Sequence, residues 1–133
     1  MGTLMTFLGI AVGSFFLLLF GMQIAVRLKA RAQTGKAVPT LSGPLGQHVG
    51  RGRRALVYFH SPGCGACRPL TPRLKEMSQQ SESVFLVDVS EETDTARALQ
   101  VMATPSFVEI DSGKIVGYHV GMAPSGLLAR YSA

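Results

Sequence analysis

Charged residues, histidine and proline are absent from the first 26 residues of this 133-residue chain, and only two cysteines, Cys64 and Cys67, occur in the whole sequence. A secreted miniprotein held together by several disulfides needs more cysteines, so that class is excluded. The chain is also too short for a large multidomain enzyme and has room for about one folded domain. A single close pair of cysteines instead suggests a redox site or a metal site.

Acidic residues are missing from the first half of the chain, and this explains the formal net charge of +5. From residue 37 onward cations and acidic residues nearly balance, so the folded part is close to neutral. A basic face for nucleic acid is therefore not expected. The cations that come before any acidic residue include, after the apolar start, Arg27, Lys29, Arg31, Lys36, Arg51, Arg53 and Arg54.

Residues 4–26 form an apolar segment whose 23 residues span about 35 Å as a helix. A single small domain offers no core wide enough to cover a helix that is apolar on every side. The start of the chain lacks the cations of a cleavable signal peptide, which favours a retained membrane anchor. We predict an anchor over residues 1–28, a basic juxtamembrane linker over 29–37 and a folded domain over 38–133.

The cations on the two sides of the apolar segment differ, and this difference predicts the orientation. Four Lys or Arg residues follow Val26 within ten positions and none precedes Leu4, which favours a domain on the cytoplasmic side. The periplasmic side is the alternative, because domains are also translocated against flanking charge. Gly9 and Gly13 have the spacing of a weak helix–helix dimer contact in a bilayer, or they are ordinary glycines of a membrane helix.

Beyond the linker, apolar runs predict four strands, and helical spacing predicts the elements between them. The strands cover residues 55–59, 84–89, 106–110 and 114–120, and the last two form a β-hairpin. The helices cover residues 64–79, 93–100 and 124–131. We expect Pro72 to kink the first helix and Thr93 to cap the second. A short strand at 38–41 and a helical turn at 45–49 are expected before this α/β pattern.

Cys64 and Cys67 lie where a buried strand ends and a helix begins, separated by Gly65 and Ala66. Free N–H groups and the helix dipole at such a place lower the pKa of a thiol, so Cys64 is the predicted nucleophile. Cys67 lies about one turn further on and is the predicted resolving thiol. A zinc site needs about four ligands, and the three histidines form no ligand-spaced pair, so no metal is expected.

Residues 39–130 resemble the thioredoxin family. The apolar strand, the Cys-Gly-Ala-Cys motif and Pro72 look like that family's central strand, active site and kinked helix. Residues 101–107 look like its cis-proline loop, and Gly113 and Gly121 fall where family glycines are expected. The resemblance implies a thioredoxin-like fold, a central mixed β-sheet flanked by helices. It also implies a cis bond before Pro105 and substrate binding by Thr104 and Pro105, whereas the residues alone also allow a trans proline entering an edge strand.

Several residues depart from the family pattern. The resemblance places tryptophan where this chain has Gly63 and proline where it has Ala66. Gly65, Ala66 and His60 are therefore our candidates for tuning the redox potential, with a plain surface role as the alternative for His60. Tyr58 stands where the resemblance places a buried carboxylate, and we expect it to be a packed core side chain.

The sequence therefore predicts a thiol–disulfide oxidoreductase tethered to a membrane, in which the Cys64–Cys67 dithiol is the redox group and no further cofactor is expected. We expect a single-pass protein of a bacterial inner membrane that contacts the bilayer through residues 4–26, reduces protein disulfides and is recharged by an upstream reductase. Three alternatives stay open: a partner-binding module without enzymatic activity, an extracytoplasmic relay in protein or cytochrome maturation, and metal delivery through the cysteine pair.

Overall fold

The computed structural model describes residues 1–132 and divides into two compact units, Met1–Ala32 and Gln33–Ala133. Helix α1 (Gly2–Gln33) makes up nearly all of the first unit. Within it, Gly2–Lys29 is long and apolar enough to cross a membrane. The helix continues into the predicted linker because the residues after Val26 are mostly good helix formers such as leucine, lysine, alanine and arginine.

The second unit is built on a four-stranded mixed sheet with the strand order β2-β1-β3-β4. Strand β1 pairs in parallel with β2 and antiparallel with β3, and β3 pairs antiparallel with β4. The four predicted strands and the hairpin are confirmed. Their observed bounds are β1 (Ala55–His60), β2 (Val84–Asp88), β3 (Ser106–Asp111) and β4 (Lys114–Val120).

Helices lie on both faces of this sheet, and one of them differs clearly from the prediction. A single helix over 64–79 is wrong, because the structure has a 3-10 turn at Gly65–Cys67 and a separate helix from Thr71. Pro69 and Pro72 lack the N–H groups that a continuous helix needs, whereas a proline in the first turn is tolerated. The helices of this unit are α2 (Gly43–Gly50), α3 (Thr71–Gln80), α4 (Thr93–Ala98) and α5 (Leu127–Tyr131).

Three smaller predictions are also corrected. The strand at 38–41 is not formed, and only an isolated bridge joins Ala37 to Lys114, because Pro39 has no N–H to donate. Thr93 does not cap α4, since its hydroxyl donates to the carbonyl of Val89. Helix α5 is shorter than predicted, because Gly126 before it has a φ of 81° and lies outside helical geometry.

The core forms two layers because alternate residues of β1 point to opposite faces of the sheet. One layer packs α2 and α4 against Val57 and Phe59, and the other packs α3 and α5 against Leu56 and Tyr58. The unbroken apolar run of β1 is thus buried on both faces, as the sequence predicted. This burial fixes the position of the loop that follows β1.

The strand register gives the sheet two ends. At one end, which we call the Cys end, lie His60, Asp88, Ser106 and Val120, and the loop to the cysteines starts there. At the other, the entry end, lie Ala55, Val84, Asp111 and Lys114. Residues 35–38 reach the entry end, where they form backbone hydrogen bonds with Gly113 and Ile115.

A candidate redox site at the end of strand β1

Cys64 and Cys67 form a disulfide directly after β1, with their Cα atoms 5.3 Å apart. Cys64 precedes the 3-10 turn, and its Sγ accepts a hydrogen bond from the backbone N–H of Cys67 at 3.2 Å. Cys64 is half-buried, whereas Cys67 is only 2% exposed. Cys64 is therefore the more accessible sulfur of the pair, and the N–H bond would stabilise negative charge on that sulfur.

The cysteine loop is joined to the proline loop by hydroxyl groups. The N–H of Cys64 donates to the carbonyl of Ser61 at 3.1 Å, and the Ser61 hydroxyl lies 3.3 Å from that of Thr104. The Thr104–Pro105 bond is cis, as the resemblance implied. Pro105 is buried and its carbonyl accepts a bond from the N–H of Gly121 at 2.8 Å, while Thr104 is half-exposed. The two predicted site segments are thus brought together.

Tyr58 and Thr71 contact Cys67 from inside the domain. The Tyr58 hydroxyl donates to the carbonyl of Cys67 at 3.3 Å and lies 3.1 Å from the Thr71 hydroxyl. Thr71 donates to the same carbonyl at 2.9 Å. Burial raises the pKa of Tyr58, against a smaller lowering by the Thr71 hydrogen bond. Tyr58 is thus a packed core side chain, as expected, and its buried phenol is uncharged near neutral pH.

His60 stacks on Tyr58 and not on the cysteines. Its ring lies 5.4 Å from that of Tyr58 with an interplanar angle of 19°. The hydroxyl and the backbone N–H of Ser90 lower the pKa of the Asp88 carboxyl, and the charge of His60 adds to this effect. Gly65 and Ala66 are exposed within the 3-10 turn. The redox-tuning roles of these three residues stay predictions.

The sequence analysis missed four residues of this region. Ser61 and Thr71 make the hydroxyl contacts described above, and Met102 and Met122 are exposed by 78% and 67%. The two methionines come just before the Thr104–Pro105 bond and just after Gly121. Methionines next to the proline loop could have been recognised in the sequence as candidate substrate contacts, because flexible thioether side chains adapt to varied apolar partners.

The sequence model of the family described as Thioredoxin matches residues 46–132 of this chain. The chain belongs to the thioredoxin family. The match includes all four strands and both cysteines of the second unit. The thioredoxin-like fold implied by the resemblance is thereby confirmed.

Individual thioredoxins show the same likeness. This chain is 34% identical over 80 residues to a thioredoxin of Echinococcus granulosus, covering 58% of this chain and 75% of that relative. It is 37% identical over 79 residues to the mitochondrial thioredoxin of Mus musculus, covering 57% of this chain. The aligned part spans about half, 48%, of the mouse protein's length.

Solved thioredoxin structures agree with the sheet described above. The thioredoxin of Fasciola hepatica superimposes with a TM-score of 0.55 at 28% identity, covering 65% of this chain and 88% of that chain. The reduced thioredoxin of Schistosoma mansoni gives 0.56 at 29% identity, covering 68% and 89%. Thioredoxins are thiol–disulfide oxidoreductases, and this thioredoxin domain has the cysteine pair that such an activity needs.

Proposed function

We propose that this thioredoxin is tethered to a membrane and reduces the disulfides of protein substrates, with Cys64 as nucleophile and Cys67 as resolving thiol. The observation that supports this assignment is the N–H bond from Cys67 to the sulfur of the more accessible Cys64. A buried cysteine cannot reach a protein disulfide first. Their different exposure therefore supports the proposed roles of the two thiols.

The reaction is a pair of thiol–disulfide exchanges. The Cys64 thiolate of the reduced protein attacks one sulfur of the substrate disulfide, forms a mixed disulfide and releases the other sulfur as a thiolate. The Cys67 thiolate then attacks Cys64 Sγ, which restores the Cys64–Cys67 disulfide and releases the second substrate thiolate. Two electrons pass to the substrate, so the dithiol needs no further cofactor. An upstream reductase of the dithiol must return the two electrons.

The proline loop is the proposed substrate platform. The hydroxyl bond from Ser61 and the N–H bond to Pro105 hold this loop beside the cysteines. Thr104 has backbone groups to pair with an extended substrate segment around its cysteine. The exposed side chains of Met102 and Met122 offer apolar contact to the same segment.

The proposed anchor is helix α1, whose residues 1–26 contain no ionisable side chain. We assign it to a bacterial inner membrane, with the domain on the cytoplasmic side because Arg27, Lys29 and Arg31 follow the apolar segment. The side is tested with a membrane-impermeant maleimide on intact cells that express Cys67→Ser, whose Cys64 cannot form the disulfide with residue 67. Protection of Cys64 until the cells are broken supports the cytoplasm, and labelling in intact cells would favour an extracytoplasmic relay.

The cysteine roles are tested on the full chain in detergent or nanodiscs, with insulin as the disulfide substrate. Cys67→Ser should accumulate a mixed disulfide with the substrate through Cys64, visible as a mass shift that a reductant removes. Cys64→Ser should give neither turnover nor adduct. An adduct on Cys67 in the Cys64→Ser variant would reverse the assigned roles. Full activity in cells of the double variant Cys64→Ser, Cys67→Ser would instead favour a binding module.

The direction of electron flow is tested by the reduction potential of the Cys64–Cys67 couple, measured by equilibration with dithiothreitol or glutathione buffers. The couple of a reductase should lie at about −270 mV, where the cytosol can keep it reduced. A value of about −120 mV would mean a disulfide donor and would contradict both the reducing role and the cytoplasmic side.

A further inference from the structure

We propose that the entry end of the thioredoxin domain binds the anionic phospholipid headgroups of the membrane that α1 spans, and that this contact turns the Cys end away from the bilayer. The proposal rests on the membrane anchor proposed above. It is based on charged residues that are spread along the sequence and that the fold gathers at opposite ends of the sheet.

Exposed cations gather at the entry end of the sheet. Lys114 begins β4, and the main chain of Lys36 accepts the N–H of Ile115 beside it. The loop before β1 adds three arginines to the same end. The exposed cations of the entry end are Lys36, Arg51, Arg53, Arg54 and Lys114.

Few acidic groups balance these cations. Arg53 lies 3.7 Å from Glu82, but both side chains are largely exposed and such a pair is weak in water. Arg54 lies 4.3 Å over the ring of Tyr131. Asp111 is the exposed carboxylate at the end of β3. The entry end therefore keeps an excess of positive charge.

The Cys end carries an excess of acidic side chains, against which the exposed Arg68 next to Cys67 must be counted. Asp88 ends β2 next to His60, and its carbonyl accepts the N–H groups of Glu91 and Glu92, which holds the following turn at this end. Asp94 lies in the first turn of α4. Four carboxylates thus lie near the end of the sheet from which the cysteine loop starts.

The two ends are far enough apart to respond separately to a charged surface. A strand of six residues is about 20 Å long, whereas the Debye length at physiological salt is about 8 Å. An anionic lipid surface therefore attracts the entry end and repels the Cys end. The chain also enters the domain at this basic end, through residues 35–38, which favours lipid over a soluble acidic partner.

The experiment measures which end of the domain approaches the lipid. The full chain with Cys64→Ser and Cys67→Ser receives one new cysteine, Ser112→Cys at the entry end or Met122→Cys near the Cys end, labelled with a donor fluorophore. Energy transfer to an acceptor on lipid headgroups is measured in nanodiscs of phosphatidylcholine, with and without phosphatidylglycerol. With phosphatidylglycerol, we expect at least twofold stronger transfer from Ser112→Cys than from Met122→Cys, and a smaller difference at high salt.

A matched pair of variants separates local charge from total charge. Arg51→Gln, Arg53→Gln and Lys114→Gln together should abolish the response of the Ser112→Cys label to phosphatidylglycerol. The control combines Arg73→Gln, Lys75→Gln and Arg97→Gln, which removes the same number of exposed cations from α3 and α4. The control should keep the response. Arg54 is left in place because of its contact with Tyr131.

Three results would overturn the proposal. They are equal transfer from the two labels on anionic lipid, equal losses in the matched variants, and a response only to an added soluble polyanion such as polyuridylic acid. In each case the anchor still stands if the chain enters neutral nanodiscs. A chain that fails to enter them would overturn the anchor and this proposal together, while the insulin assay would still report on the cysteines.

Discussion

The hydroxyl groups of Tyr58 and Thr71 lie 3.1 Å apart, and both donate to the carbonyl oxygen of Cys67. Tyr58 occupies the position where the resemblance to thioredoxins places a buried carboxylate. The two side chains that contact the Cys67 carbonyl are therefore polar but uncharged at neutral pH. Their contribution is to hold the Cys67 main chain in place.

Replacing the phenol tests this structural role. Tyr58→Phe removes the hydrogen bond from the phenol to the Cys67 carbonyl, while Thr71 still donates to that carbonyl, so we expect a loss of about 1 kcal/mol in the free energy of unfolding. Urea denaturation measures it. The control is Tyr118→Phe, whose hydroxyl donates to the Gln100 carbonyl outside the site. Insulin reduction at pH 7 should change less than about twofold, and a loss of a hundredfold would show that the phenol transfers a proton.

Alkaline pH should destabilise the domain through its tyrosines. Burial raises the pKa of Tyr58, Tyr118 and Tyr131, so their contribution is complete below the unfolded-state pKa of about 10 and is lost as pH rises through the folded values. The unfolded chain releases these protons first, which favours unfolding. Urea denaturation between pH 7 and 11 in the Cys64→Ser, Cys67→Ser background measures the decline. It should be shallower in Tyr58→Phe, and an unchanged slope would contradict the assignment.

Glu109 should be worth far more to stability than an exposed glutamate. Its carboxylate is 3.0 Å from His119 Nε2, 3.2 Å from the Tyr131 hydroxyl and 3.4 Å from Arg130 Nη2, and its side chain is 8% exposed. Glu109→Ala should cost about 2–3 kcal/mol in the free energy of unfolding, because hydrogen bonds to a charged group are lost in the interior. The control, Glu82→Ala, should cost about 0–1 kcal/mol. Equal losses would refute the special role of the buried site.

The hydroxyl bond between Ser61 and Thr104 should affect substrate binding more than turnover. Ser61→Ala frees the proline loop from the cysteine loop, and we expect KM for insulin to rise about 2- to 10-fold, as the loss of one hydrogen bond implies. Ser78→Ala on α3 is the matched control. A fall in kcat at constant KM would show instead that the bond acts on the chemical step.

The strands were predictable because their signal is local. The run at 55–59 is apolar at every position, and burial on both faces of the sheet requires that pattern. Helix bounds depended on details with a weaker signal. The split at Pro69 and Pro72 follows from proline chemistry, but the left-handed Gly126 before α5 has no signature that separates it from an ordinary loop glycine.

Long-range contacts of the site were beyond the sequence. Ser61 and Thr104 are 43 positions apart and Tyr58 and Thr71 are 13 apart, so only the tertiary fold decides that their hydroxyls meet. Charge counting had a similar limit. From residue 37 onward the charges nearly balance in number, yet the strand register places cations such as Arg51 at one end and acids such as Glu91 near the other.

The segment that leads into the domain also shields an edge of its sheet from pairing with other copies of the chain. Strand β4 is an edge strand, and residues 35–38 cover its start through bonds from Gly35 to Ile115, Ile115 to Lys36 and Val38 to Gly113. Open strand edges are templates for pairing with other chains. A soluble fragment that begins at residue 39 leaves the backbone groups of Gly113 and Ile115 without these partners and is prone to aggregate. A fragment that begins at Gln33 keeps them paired.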